Sequence, residues 1–228
     1  MTFGPREGTA MSIKTPLTME RVRHHFAYGF WKYLILVVAA AAGWNLIYTT
    51  TAYRPPAEKR IDFYVSGNGA DTQALDLLMQ TVWQEVLPDM ELVQAYSLLS
   101  GSEDAYSQMQ LTTYIMAGEG DVYLLEKDRF ESFATGGAMV PLEGYVDSGA
   151  LNTQGLDLKK GYATDSETGE RHLYGIPADL LIGFNDYGVY TDNMVLCVTS
   201  LSGNEANAVK FVDYLLTHMQ SSGGQAAQ

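Results

Sequence analysis

The hydrophobic positions of this chain fall into two regimes. Over residues 33–53 they are nearly continuous, with no formal charge and an apolar heart running from Tyr33 to Tyr48. At about 1.5 Å per residue, roughly 20 such residues cross the ~30 Å hydrocarbon layer of a bilayer. The pattern therefore predicts a transmembrane helix over 33–53, with Trp31, Tyr33, Trp44, Tyr48 and Tyr53 near its ends, where amphipathic rings favour the headgroup level. Pro55 and Pro56, among the charges of Arg54, Glu58, Lys59 and Arg60, predict a stiff spacer over 54–60.

From Ile61 onward, short β-branched and aromatic runs alternate with apolar residues spaced by three and four. Ile61 to Val65 reads as a strand that stops at Ser66-Gly67-Asn68-Gly69. A helix capped by Asp71 or Thr72 follows, burying Leu75, Leu78, Val82 and Val86 until Pro88 ends it. Glu91 to Leu98 reads as the second strand. Glu103 to Met116 reads as the next helix, with Tyr106, Met109, Thr113 and Met116 inward. The apolar run Asp121 to Leu125 fits the middle of a parallel sheet covered on both faces, and its helix turns Phe130, Phe133 and Ala134 inward. Beyond Val140-Pro141-Leu142 the pattern predicts a hairpin, with Gly161 to Thr164 and Arg171 to Ile176 joined by a turn at Asp165 to Gly169. A last strand at Asn193 to Thr199 and a last helix at Asn204 to His218 complete the series. The expected fold class is α/β: a single N-terminal transmembrane helix, then one lobe with a mostly parallel sheet. The expected organisation is an N-terminal segment over 1–32, the helix over 33–53, the spacer, one domain over 61–220 and a disordered tail over 221–228.

Charge adds a direction. Residues 1–32 carry five basic and two acidic side chains, whereas residues 54–228 carry nine basic and twenty-five acidic ones, for a net charge of -13. The positive-inside bias then places the N-terminus in the cytoplasm and the domain outside the cell membrane, in a single-pass topology. A cleaved signal peptide is the competing reading, although about thirty residues make a long n-region. Met11 and Met19 are alternative starts for translation. An acidic body repels phosphate backbones, so nucleic acid is not an expected partner.

The chemistry-bearing motifs are few. Cys197 is the single cysteine, excluding an internal disulfide and a four-cysteine metal site, and its place between Leu196 and Val198 reads as a buried thiol. No Gly-x-Gly-x-x-Gly, no Gly-x-x-x-x-Gly-Lys and no Gly-x-Ser-x-Gly occurs. His172 and His218 are far apart in sequence, with no acidic ligand pattern nearby. No cofactor, metal or catalytic residue is expected, and the reading is of a protein that is not an enzyme. The fifteen tyrosines read mostly as inward packing residues, with a sugar-stacking surface as the alternative.

The order of motifs resembles the first lobe of the extracellular solute-binding proteins of ATP-driven importers, the type 2 periplasmic-binding fold. The resemblance rests on Gly120-Asp121-Val122-Tyr123-Leu124-Leu125-Glu126-Lys127-Asp128-Arg129-Phe130, on Gly136-Gly137-Ala138-Met139-Val140-Pro141-Leu142, on Tyr174-Gly175-Ile176-Pro177 and on Asn204 to Leu215. It implies binding of a solute (a sugar, peptide or similar) and service to an ABC transporter or a sensor. Members of the family build a second lobe after the Ile-Pro strand; here residues 178–193 bridge that point, so the resemblance implies a lone lobe whose missing wall a partner protein would supply. The lipid-modified cysteine of the family is also missing, and a transmembrane helix stands in its place. Ligands of open α/β sheets sit at the carboxyl ends of strands. The candidate binding residues are therefore Ser66, Asn68 and Asp71 after the first strand, Ser100 after the second, and Lys127, Asp128 and Arg129 after the third, the Asp-Arg pair being carried over from sugar-binding relatives. The bland alternative makes Asp128 an N-cap. The competing function is a non-catalytic scaffold or interaction protein whose lobe has lost solute binding.

Overall fold

In a computed structural model the structure describes residues 19–51, 53, 55–66, 70–98 and 105–220. The chain divides into two compact units, Met1–Arg54 and Pro55–Gln228.

The described residues of the first unit form a helix, α1 (Met19–Thr51), which starts well before the predicted span. Within it, Gly29–Thr51 is long and apolar enough to cross a membrane. The threonines near its end do not break it, because each hydroxyl bonds back to the helix: Thr49 Oγ1 donates to Asn45 O at 2.9 Å, Thr50 Oγ1 to Leu46 O at 2.8 Å and Thr51 Oγ1 to Ile47 O at 2.6 Å. Hydroxyls satisfied in this way need no water.

The second unit follows the chain as β1 (Arg60–Ser66), α2 (Thr72–Glu85), β2 (Leu92–Leu98), α3 (Ala105–Met116), β3 (Val122–Glu126), α4 (Lys127–Thr135) and α5 (Glu143–Asp147). It continues with β4 (Tyr162–Thr164), β5 (Arg171–Leu173), β6 (Gly175–Pro177), β7 (Met194–Val198) and α6 (Glu205–Met219). Five strands form one sheet in the order β2-β1-β3-β7-β6, and β4 and β5 form a separate antiparallel hairpin. β1 pairs parallel with both β2 and β3, whereas β7 runs antiparallel between β3 and β6. The sheet is therefore mostly parallel with one reversed strand. No crossover helix separates β6 from β7, only a 3-10 turn at Ile182–Tyr187, and a direct return of this kind gives antiparallel pairing.

Strand alternation divides the core between the two faces. Ile61, Phe63 and Val65 of β1, Val122 and Leu124 of β3 and Leu196 and Val198 of β7 pack toward α2 and α6. There the Phe63 ring lies 5.4 Å from Phe211 and 6.2 Å from Phe184. On the other face Tyr64, Tyr123, Leu125, Val195 and Cys197 pack against Leu111 and Ile115 of α3 and Phe130 and Ala134 of α4. Tyr64 stacks between Tyr96 at 4.9 Å and Tyr123 at 5.1 Å, a row set by the shared register of the three strands. Gly120 belongs to this row, because a Cβ there would come within 2.5 Å of the Tyr123 hydroxyl oxygen.

The structure corrects the sequence reading at α3. Tyr106, Met109 and Met116 are two-thirds exposed, and the buried residues are Leu111 and Ile115. A helix with no charged residue and apolar side chains all round carries no periodicity strong enough to fix which face turns inward. The predicted return strand Arg171 to Ile176 is also two strands in different sheets, separated at Tyr174. Of the tyrosines, Tyr64, Tyr123, Tyr174 and Tyr214 are buried, while Tyr106 and Tyr190 stand exposed, so inward packing accounts for only part of the set.

Candidate functional site

The carboxyl ends of β1 and β3 carry Ser66 and Glu126, and because β7 is reversed its first residues arrive at the same end of the sheet. Two backbone bonds tie the loops there: Asp71 N–H donates to Tyr187 O at 2.9 Å, and Lys127 N–H to Asn193 O at 3.0 Å. Asn193 adopts a left-handed backbone with φ 58°, and its N–H donates to Asp179 Oδ1 at 3.0 Å. Burial pushes the Asp179 carboxyl up, but the Lys160 ammonium at 2.9 Å and the Asn193 N–H outweigh it and hold the group below the usual carboxylate range.

Between these loops opens a cleft of about 340 Å³, lined among others by Ser66, Glu126, Asp128, Tyr190, Asp192 and Asn193. A second cleft of about 330 Å³ lies on the α3 side, bounded by Gln108, Thr112, Arg129, Ser132 and Phe133. Glu126 and Asp128 line both clefts and form the ridge between them. Among the described residues, three carboxylates and no basic side chain border the first cleft. Carboxylates accept and do not donate, so this wall suits a ligand bearing hydroxyl, amine or ammonium donors.

The candidate residues separate by role. Ser66 and Asp128 line the first cleft. Arg129 instead faces the second cleft, with its side chain only 13% exposed; it sits 3.9 Å from Glu126, and its Nη2 is buried without a hydrogen-bond partner. Lys127 turns to Glu131, which raises its pKa. Asp71 caps α2, accepting from Gln73 N–H at 3.0 Å and Ala74 N–H at 3.2 Å. Asn68 and Ser100 lie outside the described residues. Asp128 is not an N-cap: that position belongs to Glu126, whose side chain makes no capping bond, and Asp128 stands exposed in the first turn of α4.

Sequence reasoning missed Tyr190 and Asp192. Both come from the segment after the Ile-Pro strand, and residues 188–194 build one wall of the first cleft. Only a reversed β7 carries its preceding loop to this end, and the uniformly buried run Met194–Val198 gives no sign of that direction. His172 takes an ordinary surface role: its ring nitrogens lie 3.3 Å from Glu143 and 3.3 Å from Glu170, which bridges α5 to the hairpin. Among the described residues, no group of three or more His, Cys, Asp or Glu side chains is placed to hold a metal ion.

No family model and no curated protein matches the sequence. Among solved structures, the chain is similar to an extracellular solute-binding protein of family 1 from Alicyclobacillus acidocaldarius subsp. acidocaldarius DSM 446. The identity is 19% and the TM-score 0.39, over 55% of this chain and 28% of that one. It is also similar to maltose-bound MalE3 of T. maritima, at 19% identity and TM-score 0.35, over 52% of this chain and 28% of that one. A third is the galacto-N-biose-/lacto-N-biose I-binding protein of the ABC transporter from Bifidobacterium longum, at 15% identity and TM-score 0.36, again over 52% and 28%. The match thus spans little more than a quarter of each of those proteins.

Proposed function

We propose that this chain is a membrane-anchored, solute-binding-like module. In this reading Gly29–Thr51 of α1 spans the bilayer, and the α/β unit stands outside the cell as an accessory to an ABC importer or a sensor. The charge contrast between the two ends of the span supports the orientation. The observation that carries the reading is the cleft at the carboxyl ends of β1 and β3, where Ser66, Asp128, Asp192 and Asn193 leave polar groups around an exposed Tyr190. The three carboxylates that border it favour a neutral polyol or a cation and disfavour an anion. A single lobe leaves much of its solute in water, so the expected affinity is weak, with Kd nearer ~1 mM than ~1 μM.

The test is a thermal-shift series on the full chain in lipid nanodiscs with sugars, amino acids, short peptides and polyamines. A reproducible rise in Tm with a neutral or cationic member, reduced by Asp128→Asn, supports the module. No shift with any member at 10 mM (roughly tenfold the expected Kd) argues for the scaffold reading instead. Protease added to intact cells tests the orientation, since a protected α/β unit would overturn it.

A further inference from the structure

The two edges of the five-stranded sheet are finished differently. β6 is three residues long, ends in Pro177, and has its outer flank occupied. Tyr174 N–H donates to Gly161 O at 3.0 Å, and Gly161 lies so near that a Cβ on it would fall 1.8 Å from Gly175 O. β2 at the other edge is seven residues long and contains no proline, glycine or charged residue. It pairs over its whole length with β1, and among the described residues no backbone group of Leu92–Leu98 bonds anywhere else. Alternate residues of a parallel strand turn both N–H and C=O away from their neighbour, so this edge offers a ladder with half its rungs unused. Exposed edges are commonly shortened, charged or interrupted by proline, and β2 has none of these.

Charge decides which strand fits. The chain carries a net charge of -13, so two copies repel over most approaches. Leu92–Leu98 is one uncharged stretch among the described residues of the α/β unit, and α3, which shares the Tyr64 face with this edge, has no charged residue either. An antiparallel pairing of β2 with a second β2, centred on Ala95, brings Leu92–Leu98 against itself and apposes only uncharged side chains. Tyr96, 39% exposed, then falls opposite Gln94 of the second copy, and these two side chains already bond within one chain at 2.6 Å. A two-fold axis closes the contact on itself and leaves no further open edge.

We propose that β2 is a self-association edge: two copies of this chain pair their β2 strands antiparallel about a two-fold axis and join their sheets into one. This dimer is independent of whether the strand-end clefts bind a solute.

The test uses the full chain in detergent. Sedimentation velocity should show a concentration-dependent dimer, and the double variant Gln94→Lys, Tyr96→Lys, which sets like charges face to face across the seam, should need at least tenfold higher concentration to associate. The variant Ala95→Cys should form a symmetric disulfide under mild oxidation, while Asp89→Cys, beyond the strand, should not; the native Cys197 is buried and does not compete. The cysteine pair keeps the proposal open to refutation if the lysine variant fails to fold. A wild-type chain that stays monomeric throughout, a dimer that survives the lysine pair (as association through α1 would), or Ala95→Cys chains that do not cross-link would each overturn it.

Discussion

The two ends of the same strands use the same acidic residue types in opposite ways. At the amino ends of β1 and β3, Asp62 and Asp121 are 4% and 2% exposed and belong to the framework. Asp121 Oδ2 accepts the Asp62 N–H at 2.9 Å, Arg60 Nε lies 3.1 Å from Asp62 Oδ2, and Asn204 Nδ2 donates to Arg60 O at 2.6 Å. At the carboxyl ends, Glu126, Asp128 and Asp192 border an open cleft. A buried carboxylate is spent on holding the chain together and its titration shows that cost; one at the rim of a cleft is left for something else. Burial, opposed by the Arg60 guanidinium and assisted by Asp121 and Glu119, pushes the Asp62 carboxyl up to about 6. Its Oδ1 has no hydrogen-bond partner.

The largest effects should come from the framework. Val122 is fully buried in β3, so Val122→Asp places a charge without a partner in mid-sheet. It should cost more than about 4 kcal/mol, read as loss of the cooperative melt by circular dichroism. A melt within a degree or two of wild type would remove β3 from the centre. Gly120→Val forces a Cβ against the Tyr123 hydroxyl and the Tyr64 ring and should cost about 2–3 kcal/mol by denaturant unfolding.

Asp62 sharpens the contrast through pH. Because its folded pKa lies above the unfolded value of 3.8, the stability linked to this group is fully present below about pH 4 and is lost as pH rises through about 6. Between pH 4 and 7 that loss should be on the order of 1–3 kcal/mol, and Asp62→Asn should flatten it. Some slope will remain, since burial also raises Asp121. An unchanged profile in the variant would show that the buried carboxyl is not the source.

Smaller effects belong to the carboxyl end. Asp71→Ala removes the cap of α2 and should cost about 1 kcal/mol, measured by urea unfolding. Asp128→Asn and Asp192→Asn should each change stability by less than about 0.5 kcal/mol, because neither side chain bonds elsewhere among the hydrogen bonds and ion pairs of the described residues. A larger loss would make either residue structural.

Much of this fold is legible in the sequence, for physical reasons that can be named. β1 and β3 are apolar on successive residues because both faces are covered, and α2 announces itself by Asp71 at its start, by Leu75, Leu78 and Val82 at helical spacing and by Pro88 after its end. α6 shows the same clarity in Val209, Val212 and Leu216. The phase of α3 is not legible, since Tyr106, Met109 and Met116 form as regular a stripe as Leu111 and Ile115 do, and no charge marks the wet side. Nor is the direction of β7 legible, because five buried residues read the same whichever way the strand runs. That one ambiguity hid half the cleft: Ser66 and Asp128 could be placed from strand ends alone, whereas Tyr190 and Asp192 could not.

The most direct test of the central claim is amide chemical-shift mapping of the full chain in nanodiscs, titrated with whichever neutral or cationic solute raises its Tm. Saturable shifts are expected at Ser66, Tyr190 and Asn193, with Kd near ~1 mM, weakened at least threefold by Asp128→Asn, and none at Arg60, Asp62 or Asp121. Shifts confined to the amino ends of the strands, or spread over the surface without saturation, would contradict it.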